Sequence, residues 1–101
     1  MSTVRRVRAE IELLPGETSG KTLGYKSGAR PNHYLPGHTT AFDGSLEFEG
    51  GELGLGQKGF AVVTFISGVF LPPMVPGTAW RINEGPRHVG NGKIIEVLND
   101  N

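Results

Sequence analysis

The segment Gly16-Glu17-Thr18-Ser19-Gly20-Lys21-Thr22 has the residue types of a phosphate-binding loop, placed just after an alternating apolar stretch. Such a loop needs four residues between its glycines and a helix opening at the lysine, whose backbone N–H groups face the phosphates. Here three residues separate the glycines, and Pro15 stands where the first should be. Leu23-Gly24-Tyr25-Lys26-Ser27-Gly28, which follows, cannot hold a helix, so a flexible surface loop is expected and no bound nucleotide. His33, His38 and His88 would suffice in number for a zinc site. The first two straddle Pro36-Gly37 at a spacing that neither helix nor strand turns to one face, and no carboxylate stands at a recognised ligand spacing. They are expected as ordinary surface or half-buried histidines. Asp43, Ser45, Glu84 and His88 can be combined on paper into acid–base or nucleophilic sets, but only geometry makes a set into a site. No catalytic residue, metal or cofactor is expected.

Two other groups suit binding better than catalysis. Lys21, Lys26 and Arg30 crowd residues 15–31, and Arg81, Arg87 and Lys93 lie near the C-terminus. If the first and last strands are neighbours, these groups can form one basic patch, with Tyr25 as an amphipathic surface for stacking. The competing expectation is solvated strand faces balanced by Glu47, Glu49 and Glu52. Phe70, Leu71, Met74 and Val75 surround a double proline, where they suit either a protein contact or a lid over the core.

These side chains need a scaffold, and the composition points to β-structure. The chain has 101 residues, 16 glycines, 7 prolines and no cysteine. It is read as one domain over 1–101, with no disulfide framework and no thiolate chemistry. Ten basic and ten acidic residues cancel, so any nucleic-acid contact must be a local patch rather than a basic excess. The longest apolar run, Phe60 to Phe70, is broken by Thr64, Ser67 and Gly68 and falls far short of a membrane span. No apolar run follows the basic residues after Met1, so a secretory signal is not expected there and a cytoplasmic location is.

Val7, Ala9, Ile11 and Leu13 alternate with Arg8, Glu10 and Glu12, the pattern of a half-buried strand ended by Pro15-Gly16. Residues 15–31 read as a long polar loop. Short strands are expected at Asn32 to Leu35 and Ser45 to Glu49, with Leu46 and Phe48 inward, and a central strand at Phe60 to Phe70. A stiff connection follows at Pro72 to Gly77. Trp80 and Ile82 then alternate with Arg81 and Asn83, a tight turn falls at Glu84-Gly85-Pro86, and a last strand runs through His88 to Ile95. Gly90 and Gly92 share one face of it, where close backbone approach leaves no room for a Cβ. Six strands with this spacing predict an all-β fold: a single closed six-stranded antiparallel barrel, with no edge strand. No internal repeat breaks the chain, which reads as a complete small protein.

Three blocks resemble the C-terminal β-barrel of elongation factor Tu and related translation GTPases. Ser27-Gly28-Ala29-Arg30-Pro31-Asn32-His33-Tyr34 is similar to the family's Gly-Tyr-Arg-Pro-Gln-Phe-Tyr block. Val62-Val63-Thr64-Phe65-Ile66 is similar to its long central strand, with Gly56 at the preceding turn. Trp80 through Gly92 is similar to its closing Arg-Phe-Ala-Ile-Arg-Glu-Gly-Gly-Arg-Thr-Val-Gly-Ala-Gly, and is the specific block. The resemblance spans about Val7 to Leu98. It implies a six-stranded antiparallel barrel of Greek-key type, without chemistry of its own, that helps hold the T-stem of aminoacyl-tRNA. Carried over position by position, it implies tRNA-facing roles for Lys21, Thr22, Arg30, Glu84, Gly85 and Arg87. Ala29, Gln57 and Pro86 depart from the family pattern, and the stretch from Ile66 to Gly77 is longer and more apolar. The GTPase domain and middle barrel have no counterpart in this sequence.

The resulting expectation is a non-enzymatic binding module, associated with translation, that recognises structured RNA or tRNA through residues 16–30 and the closing hairpin. The alternative is a protein-interaction module that docks through Phe70, Leu71, Met74 and Val75 without RNA.

Overall fold

A computed structural model describes residues 3–68 and 70–100. The parts of the sequence-based domain and central strand that fall on Met1, Ser2, Val69 and Asn101 lie outside the described residues. In chain order the elements are β1 (Thr3–Leu13), α1 (Gly16–Ser19), β2 (Tyr25–Lys26), β3 (Asn32–Tyr34), β4 (Phe42–Phe48), β5 (Glu52–Leu53), β6 (Lys58–Ser67), β7 (Ala79–Glu84) and β8 (Arg87–Asp100).

Six of these strands close into an antiparallel barrel in the order β1-β6-β4-β3-β7-β8, with β8 returning to β1. Strands β3, β4 and β6 are successive neighbours, while β6 and β3 pair outward with β1 and β7. The closed antiparallel barrel is the one the strand spacing predicted, and its strand order is of Greek-key type. The alternation in β1 works as expected: Val7, Ala9, Ile11 and Leu13 are fully buried, and Arg8, Glu10 and Glu12 are not. Burying one face of every strand against the others is what stabilises such a barrel, and closure leaves no ladder edge among its six strands. Strand β8 bends round the barrel through register shifts against β1 and β7, the usual way for an extra residue to increase curvature.

Residues 15–31 are not a long unstructured loop. One helical turn, α1, ends at Gly20, whose φ of 77° is the left-handed conformation that glycine adopts without strain. The chain then pairs β2 with β5 in a small ribbon beside the barrel, and Ala29 bridges Leu46. Tyr25 packs against the core from this ribbon.

The two glycines of β8 behave as their spacing suggested. A Cβ on Gly90 would meet the Glu12 carbonyl oxygen at 2.5 Å, and one on Gly92 would meet the Trp80 ring at 2.3 Å. The backbone of β8 is thus the floor on which the indole lies, with Trp80 and Gly92 directly opposite in register.

Antiparallel order divides the connections between two ends. Residues 14–31, 49–57 and the Gly85-Pro86 turn lie at one, called the tip. Residues 35–41, Gly68 and residues 70–78 lie at the other. Among the described residues no helix is long and apolar enough to cross a membrane.

Candidate functional site

At the tip, the hairpin of β7 and β8 closes through two residues, Gly85 and Pro86, with Glu84 and Arg87 in register. Gly85 has a φ of 60°. A glycine with positive φ at the first central position matches the right-handed twist of a hairpin, and a proline in the next position needs no N–H there. The Gly85 N–H donates to Asn32 Oδ1 at 3.2 Å, which ties the turn to β3.

Three segments meet at this turn. Tyr25 donates its hydroxyl proton to Glu84 Oε2 at 2.5 Å, and Lys21 Nζ lies 3.0 Å from the same oxygen. The Lys21 ammonium also sits over the Tyr25 ring, 4.4 Å from its centroid. Arg87 Nη1 reaches the Gly20 carbonyl oxygen at 3.5 Å. Burial pushes Glu84 upward, but the hydrogen bonds from Tyr25 and Lys21 and the charges of Lys21 and Arg87 outweigh it and hold the carboxyl below its usual range. Burial, then the Glu84 hydrogen bond and charge, push the Tyr25 phenol well above its ordinary value, so it stays a donor. Beside this cluster lies a cleft of about 510 Å³ lined by Tyr25, Ala29, Arg30, Pro31, Asn32, Glu84 and Gly85. Arg30 Nη2 lies 2.7 Å from Asp43 Oδ2, with both side chains more than half exposed.

The structure therefore brings Lys21, Arg30, Glu84, Gly85 and Arg87 together, with Thr22 exposed next to Lys21. It does not bring in the other cations. Lys26 alternates with Tyr25 on β2 and so faces the opposite side of the ribbon. Arg81 pairs in register with Asn91 and Lys93 with Ala79. At about 3.3 Å per strand residue, they stand roughly 10 and 20 Å from the turn. The first and last strands are neighbours, yet the two basic groups meet only through Arg87, because strand length separates Arg81 and Lys93 from the turn.

The phosphate-loop lookalike has its helical turn before Lys21 rather than after it, and the lysine is turned towards Glu84. Glu84 and Asp43 are each engaged with the cations named above. His88 Nε2 lies 2.9 Å from both the Gly90 carbonyl oxygen and Asn91 Oδ1. The carboxylates and the histidine considered for catalysis thus belong to separate networks.

His33 corrects the expectation of a surface or half-buried histidine, since it is fully buried. Trp80 Nε1–H donates to His33 Nδ1 at 3.0 Å, and His33 Nε2 lies 3.0 Å from the Gly44 carbonyl oxygen. An indole nitrogen only donates and a carbonyl only accepts, which fixes the neutral tautomer with the proton on Nε2. Burial outweighs the Gly44 hydrogen bond and the Asp43 charge and pushes this histidine down to about 4. The sequence carried one hint, that a buried tryptophan needs a hydrogen-bond partner, but β3 is too short for alternation to show which face His33 takes.

At the other end, the four apolar candidates split. Leu71 and Met74 are buried and cap the core, while Phe70 and Val75 are 51% and 59% exposed. Arg5 Nη1 donates to the Pro72 carbonyl oxygen at 2.6 Å and holds this connection against β1. The lid expectation describes Leu71 and Met74, while Phe70 and Val75 stay outside the core.

No protein-family model matches the chain.

Proposed function

We propose that this barrel is a non-catalytic, cytoplasmic RNA-binding module whose tip cleft takes the sugar-phosphate backbone of a structured RNA, tRNA being the first to test. One observation carries the reading: Lys21, Arg30, Glu84, Gly85 and Arg87 come from three separate segments and converge on one turn and its cleft. Their resemblance to the tRNA-contacting positions of elongation factor Tu supplies the ligand class.

The geometry divides the work among them. Lys21 has only 12% of its side chain exposed and is held by Glu84 and Tyr25, so it positions the carboxylate and offers little charge to a ligand. Arg87 is exposed. The exposed Arg30–Asp43 pair is worth no more than about 1 kcal/mol, so a phosphate can displace the carboxylate from the guanidinium. Around Gly85, nothing lies within 4 Å of where a Cβ would stand, which leaves the turn open to close approach. Two exchangeable arginines on an otherwise balanced surface make for modest, strongly salt-dependent affinity.

The test is anisotropy of labelled tRNA at low salt, with wild type compared with Arg30→Ala plus Arg87→Ala. The double variant should bind at least about tenfold more weakly, since both phosphate contacts are lost. Absence of binding by the wild type, or identical curves, would sink the reading.

A second reading, a protein partner at the far end, is favoured by the exposure of Phe70 and Val75. Met74 and Leu71 are not part of it, because they are buried.

A further inference from the structure

A groove of about 590 Å³ runs between the connection that follows β3 and the end of β6. His38, Thr40 and Ala41 line it from that connection, Phe42 and Asp43 from the start of β4, and Ile66, Ser67, Gly68 and Phe70 from the end of β6 and beyond. Three aromatic rings gather there. His38 and Phe42 are edge-to-face at 5.3 Å and 84°, Phe42 and Phe70 at 6.4 Å and 83°, and His38 and Phe70 are tilted at 5.9 Å. Phe70 is half exposed, and its ring meets the rings of both neighbours.

We propose that this groove is a binding site for a trimethylammonium group, held by the faces of Phe42, Phe70 and His38 with Asp43 as counter-charge. Ring faces carry negative electrostatic potential, and a cation over an aromatic face is attracted more strongly as it is desolvated. Near-perpendicular rings present faces in more than one direction, as a compact cation requires. The Asp43 carboxylate lines the same groove, and among its described lining residues none is lysine or arginine. The groove is thus lined mainly by apolar and aromatic groups, and the one carboxylate among its described lining residues, Asp43, is shared with Arg30. A plain ammonium would give up a strong hydration shell to enter it, whereas a methylated one brings its own apolar coat.

Asp43 also links this groove to Arg30, which binds it at 2.7 Å from the direction of the tip cleft. A cation seated on Asp43 and the Arg30 guanidinium compete for one carboxylate. The claim is narrower than a protein contact at Phe70 and does not depend on what binds at the tip.

The test uses choline and N-acetyl-trimethyllysine amide against dimethylbutanol, the uncharged carbon isostere of choline, titrated into the whole chain and followed by NMR shifts of His38, Phe42 and Phe70. The trimethylammonium compounds should bind at least about fivefold more tightly than the isostere, the range of one good cation–π contact. Phe70→Leu should abolish that preference, and Asp43→Asn should weaken it. Arg30→Gln should strengthen binding by freeing Asp43. Tighter binding of the lysine derivative assigns the site to a modified peptide, and tighter binding of choline assigns it to a choline-bearing molecule. Equal affinity for the isostere, or unmoved aromatic resonances at tens of millimolar choline, would overturn the proposal. Unchanged Trp80 emission confirms that each variant is folded, and the tRNA assay above is unaffected by these ligands' failure to bind.

Discussion

Strand β7 carries a polar cluster near each end, and the two follow opposite rules. At Trp80 the indole, His33 and the Gly44 carbonyl form a closed, uncharged chain in the core, with the histidine held neutral. At Glu84 the carboxylate, Lys21, Tyr25 and Arg87 form a charged network at the rim, open to a cleft. A buried polar group must be fully satisfied or it costs more than it returns. A rim group keeps access to water and can exchange partners cheaply. The core cluster therefore belongs to the fold, and the tip cluster is the one free to bind.

If that division is right, breaking the core cluster should cost stability and breaking the tip should not. The largest effect is expected from Gly92→Val. Its Cβ would lie 2.3 Å from the Trp80 ring, so the indole must leave its place and its bond to His33. A loss of at least about 3 kcal/mol is expected, the upper range for overpacking, seen as a lower urea midpoint. A loss well under 1 kcal/mol would show the indole to be free to move.

Acid should act through the same cluster. Between about 6.5 and about 4 the unfolded chain takes up a proton at position 33 and the folded chain does not. Stability therefore falls as pH drops through that window, by as much as about 3 kcal/mol. The single tryptophan reports the transition directly, and replacing the histidine, as in His33→Gln, should flatten the dependence. A wild-type profile level across the window would contradict a neutral buried histidine.

Trp80→Phe is expected to cost about 2 kcal/mol, because it leaves His33 Nδ1 buried without its donor. The smallest effect is predicted for Glu84→Gln at the tip. Stability should change by less than about 1 kcal/mol, while alkaline absorbance titration should show Tyr25 ionising more easily than in wild type. The return is partial, since burial, the largest cause of the shift, stays.

The core end of this comparison was largely readable in the sequence. Alternation in β1 and in β7 as far as Ile82, the turn at Gly85-Pro86 and the glycines at 90 and 92 each state a local geometric demand that the barrel satisfies. Asn83, expected to face outward with Arg81, is instead buried, because the register shifts between Ile82 and Asn83. His33 was missed because a histidine on a three-residue strand gives too short a period to declare its face. At the tip, the residues were named but their relations were not. The Lys21–Glu84 and Tyr25–Glu84 contacts span about sixty residues of sequence, and no periodicity encodes a pairing at that distance. The ribbon of β2 and β5 hid for a like reason: two-residue strands carry no alternation. The groove at Phe42 and Phe70 likewise arises only when β4 and β6 lie side by side.

The central claim is that two tip arginines carry RNA binding. Affinity for tRNA measured across a range of salt concentrations tests it most directly. Two phosphate contacts predict a log–log slope of about −1.5, and Arg87→Ala should make it shallower by about 0.8. A wild-type slope near zero, or a slope that Arg87→Ala leaves unchanged, would contradict the account.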